Sequence, residues 1–302
     1  MLKVIKYTMV KKRILLTLVV FLISFNIFIN IQTNIIAKAE KLYVGGSGEG
    51  NYSSIQNAID ISSVWDIVYV YNGKYQENIW INKSISLRGE NIENTRITGN
   101  DHENIITIEA QSVNITGFTI QNGHNSGIFI GNSHNCKIFD NIIDNNNIGI
   151  KIISSTNSIV SNNTISNNSA FGMYITNYHF PSKISKHNTV FHNNFINNNN
   201  TAVSDIGIST NWSYKNEGNY YDDYNGIDRN KDGIGDNRYI ISGGGDIDSY
   251  PLMMPYNGKI RLKEFSVDDE SLYTMLIIGM AITILFLLPI GYIWYRKTKH
   301  LK

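Results

Sequence analysis

The motif Asp140-Asn-Ile-Ile-Asp-Asn-Asn146 decides the fold of this chain, because it recurs twice at a regular spacing in the sequence. The later copies are Asn162-Asn-Thr-Ile-Ser-Asn-Asn168 and Asn193-Asn-Phe-Ile-Asn-Asn-Asn199, and a weaker copy, Thr116-Gly-Phe-Thr-Ile-Gln-Asn122, comes before them. With their central isoleucines as markers (Ile120, Ile143, Ile165 and Ile196), the copies lie about 23, 22 and 31 residues apart. Such a period is typical of a solenoid, and an insert at residues 177–187 explains the long third step.

Two further sequence motifs recur with the same period. One is Gly127-Ile-Phe-Ile130, which recurs as Gly149-Ile-Lys-Ile152 and Gly172-Met-Tyr-Ile175. The other is a short apolar strand, found at residues 113–115, 137–139, 159–160 and 190–191. Three strands per turn of roughly 22 residues predict an all-β fold, a parallel β-helix in which each coil buries its apolar face against the next.

The asparagines that flank each strand are expected to be structural. Asparagine tolerates left-handed backbone at a bend, and asparagines stacked in successive coils can hydrogen-bond along the stack. The alternative for an asparagine-rich tract is disorder, but the regular isoleucines argue against it. At the start of the coil, residues 51–61 predict a capping helix with Ser53 or Ser54 as its N-cap.

Both ends of the chain are hydrophobic. Residues 1–39 combine a basic start, a long apolar run and Ala37-Lys-Ala39, which indicates a signal peptide or, if uncleaved, an N-terminal anchor. Residues 40–257 are the expected ectodomain and 258–271 a polar stalk. The apolar residues 272–295 are long enough for a single transmembrane helix, and the basic residues at 296–302 favour a cytoplasmic tail with the β-helix outside the cell.

Composition excludes some classes of function. The net charge of +1 provides no basic field, so no nucleic-acid partner is expected. Cys136 is the single cysteine, so no intramolecular disulfide can form, and its strand position predicts a small core residue. Nothing in the sequence sets the oligomeric state.

An acidic segment, Asp228-Arg-Asn-Lys-Asp-Gly-Ile-Gly-Asp236, follows the coil. Its alternating oxygen side chains and central glycine resemble a calcium-binding loop. The side chains of Asp228, Asn230, Asp232 and Asp236 and the carbonyl of Ile234 would be the ligands. An Asp/Asn/Gly turn that holds no metal is the alternative.

The two ends of the ectodomain carry a family resemblance. Residues 53–59, 68–75 and 81–87 at the start, and residues 212–224, 228–236 and 248–253 at the end, resemble NosD-like right-handed β-helix proteins. Many of these are archaeal surface proteins with the same signal-plus-anchor layout. The resemblance implies copper handling, for which His124, His134 and Cys136 are the candidate ligands, since copper favours imidazole and sulfur.

Three functions follow from these observations. The first is a non-catalytic cell-surface protein that binds a glycan or an envelope protein, and the second is copper handling. The third is a polysaccharide lyase, hydrolase or epimerase, which would need carboxylates or a base that the coil offers sparsely. The first is preferred because it needs only an exported, anchored solenoid.

Overall fold

The computed structural model describes Phe21 and residues 39–100, 103–177, 184–199, 201–205, 209–243 and 245–257. The chain divides into two compact units, Met1–Asn257 and Gly258–Lys302, and only the first contains described residues. The expected stalk, transmembrane segment and tail therefore lie outside the described residues, and so does the expected signal peptide apart from Phe21 and Ala39. Among the residues that are described, no helix is long and apolar enough to cross a bilayer.

Short strands and one helix follow one another along the described chain. In order they are β1 (Lys41–Val44), α1 (Ile55–Ile61), β2 (Ile67–Val70), β3 (Gly73–Gln76), β4 (Ile79–Ile81), β5 (Ser86–Gly89), β6 (Thr95–Thr98), β7 (Ile106–Ile108), β8 (Asn114–Thr116), β9 (Thr119–Gln121), β10 (Ser126–Gly131), β11 (Lys137–Phe139), β12 (Ile142–Asp144), β13 (Ile148–Ile153), β14 (Ile159–Ser161), β15 (Thr164–Ser166), β16 (Phe171–Thr176), β17 (Thr189–Phe191), β18 (Asn194–Ile196), β19 (Thr201–Asp205), β20 (Tyr220–Tyr221), β21 (Tyr239–Ile240), β22 (Ser242–Gly243) and β23 (Ile247–Asp248).

Twenty-one of the strands form three parallel sheets, and the chain visits each of these sheets once per coil, while β21 and β23 form a separate two-stranded antiparallel sheet. Sheet A has the order β1-β2-β5-β8-β11-β14-β17, sheet B β20-β18-β15-β12-β9-β6-β3, and sheet C β22-β19-β16-β13-β10-β7-β4. Each of these three sheets has seven strands, which corresponds to a solenoid of about seven coils. The predicted parallel β-helix is confirmed.

The core is made of apolar columns that run through the coils. In sheet B, Ile120, Ile143, Ile165 and Phe195 are register partners in successive coils, and all four are fully buried. Burial of each such side chain contributes roughly 1.5–3 kcal/mol.

One marker of the sequence analysis is wrong by one residue. Ile196 pairs with Ser166, and Phe195 takes the core position beside Ile165. The third step of the repeat is therefore 30 residues long, as the hydrogen bonds between Asn163 and Asn193 also require.

Buried asparagines form ladders at the corners, as the sequence predicts. From Asn141 the ladder runs through Asn163 and Asn193 to Asn219, and the backbone N–H of each residue donates to the side-chain oxygen of the next at 3.0–3.1 Å. The ladder ends on the buried Asp248, whose Oδ2 accepts from the backbone N–H of Asn219 at 2.8 Å. A carboxylate suits this end because it only accepts hydrogen bonds.

Helix α1 covers the N-terminal end of the coil. Ile55, Ala58 and Ile59 are fully buried, as their helical spacing predicts. Ser54 is the N-cap and accepts from the backbone N–H of Asn57. The cap confirms the second of the two serines named above.

Candidate functional sites

The predicted copper ligands do not converge in the structure. His124 follows β9 and His134 follows β10, so they lie at different corners, and both are exposed. Cys136 is fully buried, and its Sγ donates to the carbonyl oxygens of Ala110 at 3.4 Å and His134 at 3.8 Å. Burial raises the pKa of the Cys136 thiol, which disfavours the thiolate that binds metal. These three residues therefore do not fit a copper ion.

The acidic loop is closed by its own hydrogen bonds. Asp228 accepts from the backbone N–H groups of Lys231 at 2.7 Å and Gly233 at 2.9 Å. Asp232 accepts from the N–H of Ile234 at 2.9 Å, and Asp236 accepts from that of Arg229 at 3.0 Å. Asn230 donates to Asp232 at 2.8 Å.

These are the contacts of an Asx-rich turn. In the described part of the chain, no three His, Cys, Asp or Glu side chains form a group that could hold a metal ion. The calcium loop stays a prediction.

A corner between sheets A and B gathers polar residues that sequence reasoning did not group. Asp140, Asn162 and His192 each precede a ladder asparagine, and each has positive φ, at 52°, 58° and 57°. They occupy one position in successive coils, about 4.8 Å apart. We call these three residues, with Glu217 and Tyr256, the His192 corner. Alignment of the repeats on their inner asparagines would have revealed the shared position, but not the contribution of Glu217 or Tyr256.

His192 is held from several sides. Its Nε2 lies 2.6 Å from Oε2 of Glu217, and its ring stacks on that of Tyr256 with centroids 3.9 Å apart. Asn194 fixes Tyr256 through two hydrogen bonds to the backbone, at 2.6 and 2.9 Å. As a result the His192 side chain is only 4% exposed.

One atom of the corner, Nδ1 of His192, is buried and lacks a hydrogen-bond partner among the described residues. Buried polar atoms are usually paired, so this corner departs from the rest of the ladders.

The charges of the corner act on one another. Burial lowers the pKa of His192, and the nearby Glu217 opposes that effect. Burial raises the pKa of Asp140, and the Asn162 amide opposes it. The pKa of Tyr256 is raised by burial first and then by Glu217 and Asp140, so both carboxylates lie within electrostatic range of one phenol.

A second candidate site is an open groove where the chain passes from sheet B to sheet C. Its volume is about 550 Å³. We call it the asparagine groove, and its lining is Asn122, Gly123, His124, Asn145, Asn146, Asn147, Asn167 and Ser169.

The residues that line this groove are bonded to two neighbours, Asp144 and Phe171. Asp144 accepts from the amides of Asn145 at 2.8 Å and Asn167 at 2.7 Å. The backbone N–H of Phe171 donates to the carbonyl of Asn147 at 3.4 Å, and the Phe171 ring stacks on Tyr174 at a centroid distance of 5.2 Å. The groove therefore has a lining rich in amides, and the backbone of Phe171 is bonded to one of its lining residues.

The face of sheet C next to this pair carries a column of aromatic residues. Trp80, Phe129 and Tyr174 are connected by register through Thr107 and Lys151. Trp80 is half exposed. An aromatic ring therefore recurs at every second coil, about 9.6 Å apart along the stack.

Comparisons with solved structures found distant similarities. Among solved structures, pectin methylesterase PemA from Erwinia chrysanthemi is similar at 12% identity and a TM-score of 0.37, over 60% of this chain and 73% of that chain. An alginate lyase from Paenibacillus sp. str. FPU-7 is similar at 14% identity and a TM-score of 0.39, over 60% of this chain and 76% of the other. No curated protein sequence matches.

A protein-family model identifies the family. The model described as "Periplasmic copper-binding protein (NosD)" matches residues 22–226, which is more than half of the chain and includes most of the coils described above. This match confirms the resemblance to NosD-like proteins, although residues 228–236 and 248–253, which also carry it, lie beyond the matched range. The chain belongs to the NosD family.

Proposed function

We propose that this protein is a membrane-anchored, extracytoplasmic binding protein that holds a neutral glycan in the asparagine groove. The observation that carries the proposal is the lining of the groove, which consists of amides, a hydroxyl, a glycine and one imidazole. Amides offer both donors and acceptors, so they match the hydroxyl groups of sugars. The periplasmic description of the family supports the extracytoplasmic location.

The aromatic pair beside the groove supports the same ligand class. Phe171 bonds through its backbone to Asn147, one of the lining residues, and its ring stacks on that of Tyr174. Binding sites commonly combine aromatic surface with a few polar groups that fix orientation. A sugar ring has the matching pair of surfaces, an apolar face and a polar edge.

Charge favours a neutral glycan over an acidic one. The residues that line the groove include no Lys, Arg, Asp or Glu. The carboxylate of Asp144 is bonded to two lining amides and would repel a uronate.

Affinity electrophoresis of the full-length protein tests this function. The gels would contain a soluble β-glucan, a galactomannan or polygalacturonate. We expect retardation by a neutral glycan and not by polygalacturonate. Phe171→Ala should weaken retardation about 5- to 30-fold, as loss of 1–2 kcal/mol implies. Tyr43→Ala, on the outer face of sheet A, is the matched control. No retardation by either neutral glycan, or equal loss in both variants, would contradict the proposal.

The anchor is a separate part of the proposal. Carbonate extraction should leave the full-length protein in the membrane pellet, and truncation after residue 257 should release it. An envelope protein is the alternative partner, and the aromatic column of sheet C would then be its contact surface. Crosslinking in intact cells distinguishes the two partners.

Copper handling is the second candidate function, because the family description names copper. His124, His134 and Cys136 do not fit the ion, as shown by their separation and the burial of the thiol.

A further inference from the structure

We propose that Asn225-Gly226 is a site of spontaneous modification, at which the asparagine converts to aspartate or isoaspartate and releases ammonia. The change adds a negative charge beside the acidic loop. Asn-Gly occurs four times in the chain, with the asparagine at positions 72, 122, 225 and 257. The last pair ends at Gly258, which lies outside the described residues. The inference does not depend on glycan binding.

The reaction needs only the chain itself and water. The backbone nitrogen of the glycine attacks Cγ of the preceding asparagine, and the new N–Cγ bond closes a succinimide ring. The Cγ–Nδ2 bond breaks, and the side-chain nitrogen leaves as ammonia with the proton of the glycine N–H. Water then opens the ring at one of its two carbonyls, which gives aspartate or isoaspartate. Glycine favours the attack because it has no Cβ to obstruct the approach, and asparagine is among the thermolabile residues of proteins.

The coil protects two of the Asn-Gly pairs. Gly73 begins β3, and its N–H donates to the carbonyl of Asn94 at 3.0 Å. The N–H of Gly123 donates to Oδ1 of the buried Asn146 at 2.8 Å. In both pairs the attacking nitrogen is bonded to the next coil, so the reaction must wait for local opening of the solenoid.

Asn225-Gly226 has no such protection. Asn225 is exposed, and neither Asn225 nor Gly226 makes a hydrogen bond within the described part of the chain. Regular pairing resumes only at Ile227, whose carbonyl accepts from the N–H of Asp236 at 2.7 Å. The glycine nitrogen can therefore reach the asparagine side chain without any opening of the coil.

The two products should affect the structure differently. Both add a carboxylate close in sequence to Asp223 and Asp228, but isoaspartate also lengthens the backbone by one methylene group beside Gly226. Gly226 packs so closely against Tyr224 that a Cβ at this position would collide with the phenol oxygen. The same oxygen donates to the carbonyl of Asn237 at 2.5 Å. The isoaspartyl form should therefore displace Tyr224 and loosen this turn.

The test is ageing of the full-length protein in warm, mildly alkaline buffer, followed by proteolysis and mass spectrometry of the peptides. We expect NH₂ to be exchanged for OH at Asn225 at least about tenfold faster than at Asn72 or Asn122, a difference of about 1.4 kcal/mol in activation free energy. Asn225→Gln should abolish the change in this peptide and leave the rates at Asn72 and Asn122 unaltered. Modification of Asn225 that is absent, or no faster than at the two protected asparagines, would overturn the proposal.

A second variant separates the added charge from the lengthened backbone. Asn225→Asp, measured before ageing, carries the same carboxylate without the extra methylene group, so it should keep the melting temperature of the fresh wild type. The isoaspartyl form, purified from aged protein by chromatography, should melt at a lower temperature. Equal melting temperatures for the isoaspartyl form and Asn225→Asp would overturn the structural part of the proposal.

Discussion

Asn193 is the position at which the ladder can be tested most directly, because its side chain joins neighbouring coils. Its Oδ1 accepts from the backbone N–H of Asn163 at 3.1 Å and from the amide of Asn163 at 2.9 Å. Its Nδ2 donates to the carbonyl of Val160 at 2.8 Å and to Oδ1 of Asn219 at 3.0 Å. The residue is fully buried, so water cannot replace these partners.

Asn193→Ala should therefore be strongly destabilising. The substitution leaves two or three buried groups without partners, and each costs about 1–3 kcal/mol. We expect the free energy of unfolding to fall by about 3–6 kcal/mol. Asn199→Ala is the matched control, because Asn199 is exposed and makes one side-chain hydrogen bond, to the carbonyl of Ser169 at 3.3 Å. Its loss should cost about 0.5 kcal/mol or less.

The assay is guanidinium unfolding of the full-length variants, followed by far-ultraviolet circular dichroism. The difference between the two midpoints gives the difference in stability if the slopes agree. Equal losses in the two variants, or a loss below about 1 kcal/mol in Asn193→Ala, would refute the view that the ladder holds the coils together.

Three more predictions address the end of the asparagine ladder at Asp248, the acidic loop and a glycine of strand β13. Burial raises the pKa of Asp248 to about 6, above its unfolded value, so the folded state binds more protons. The stabilisation that Asp248 contributes should be complete below about pH 4 and should fall by about 2–3 kcal/mol as the pH rises through 6. Asp248→Asn should remove this pH dependence of the free energy of unfolding, which unfolding experiments at several pH values measure. If the acidic loop binds calcium, a chelator should lower the melting temperature and Asp232→Ala should abolish the response; an unchanged melting temperature contradicts calcium binding. Gly149→Ala would place a methyl group 2.7 Å from a side-chain carbon of Ile165, and should destabilise more than Gly50→Ala, where the added atom meets nothing within 4 Å and only the positive φ costs about 1–2 kcal/mol.

The architecture could be predicted from the sequence because it is repetitive. A solenoid repeats the same local structure in every coil, so the spacing of the isoleucines in the sequence directly indicates the apolar columns of the core. Ile120, Ile143 and Ile165 were identified correctly for this reason. Ile196 was not, because two adjacent apolar residues, Phe195 and Ile196, match the repeat equally well until the hydrogen bonds of the ladder fix the register.

The candidate sites were harder to predict from the sequence. His124, His134 and Cys136 are neighbours in the sequence, yet the corners of the coil direct them to different environments, and Cys136 faces the core. His192 and Glu217, which are 25 residues apart in the chain, meet because neighbours in space belong to successive coils.

The sequence alone therefore determined the parallel solenoid, its repeat and the capping helix, since these follow from local periodicity and residue type. The tertiary structure alone decided the register of the long step, the termination of the ladder on Asp248 and the assembly of the His192 corner. The physical reason is that these features depend on contacts between coils, which side-chain packing and hydrogen bonding select only once the chain has wound up.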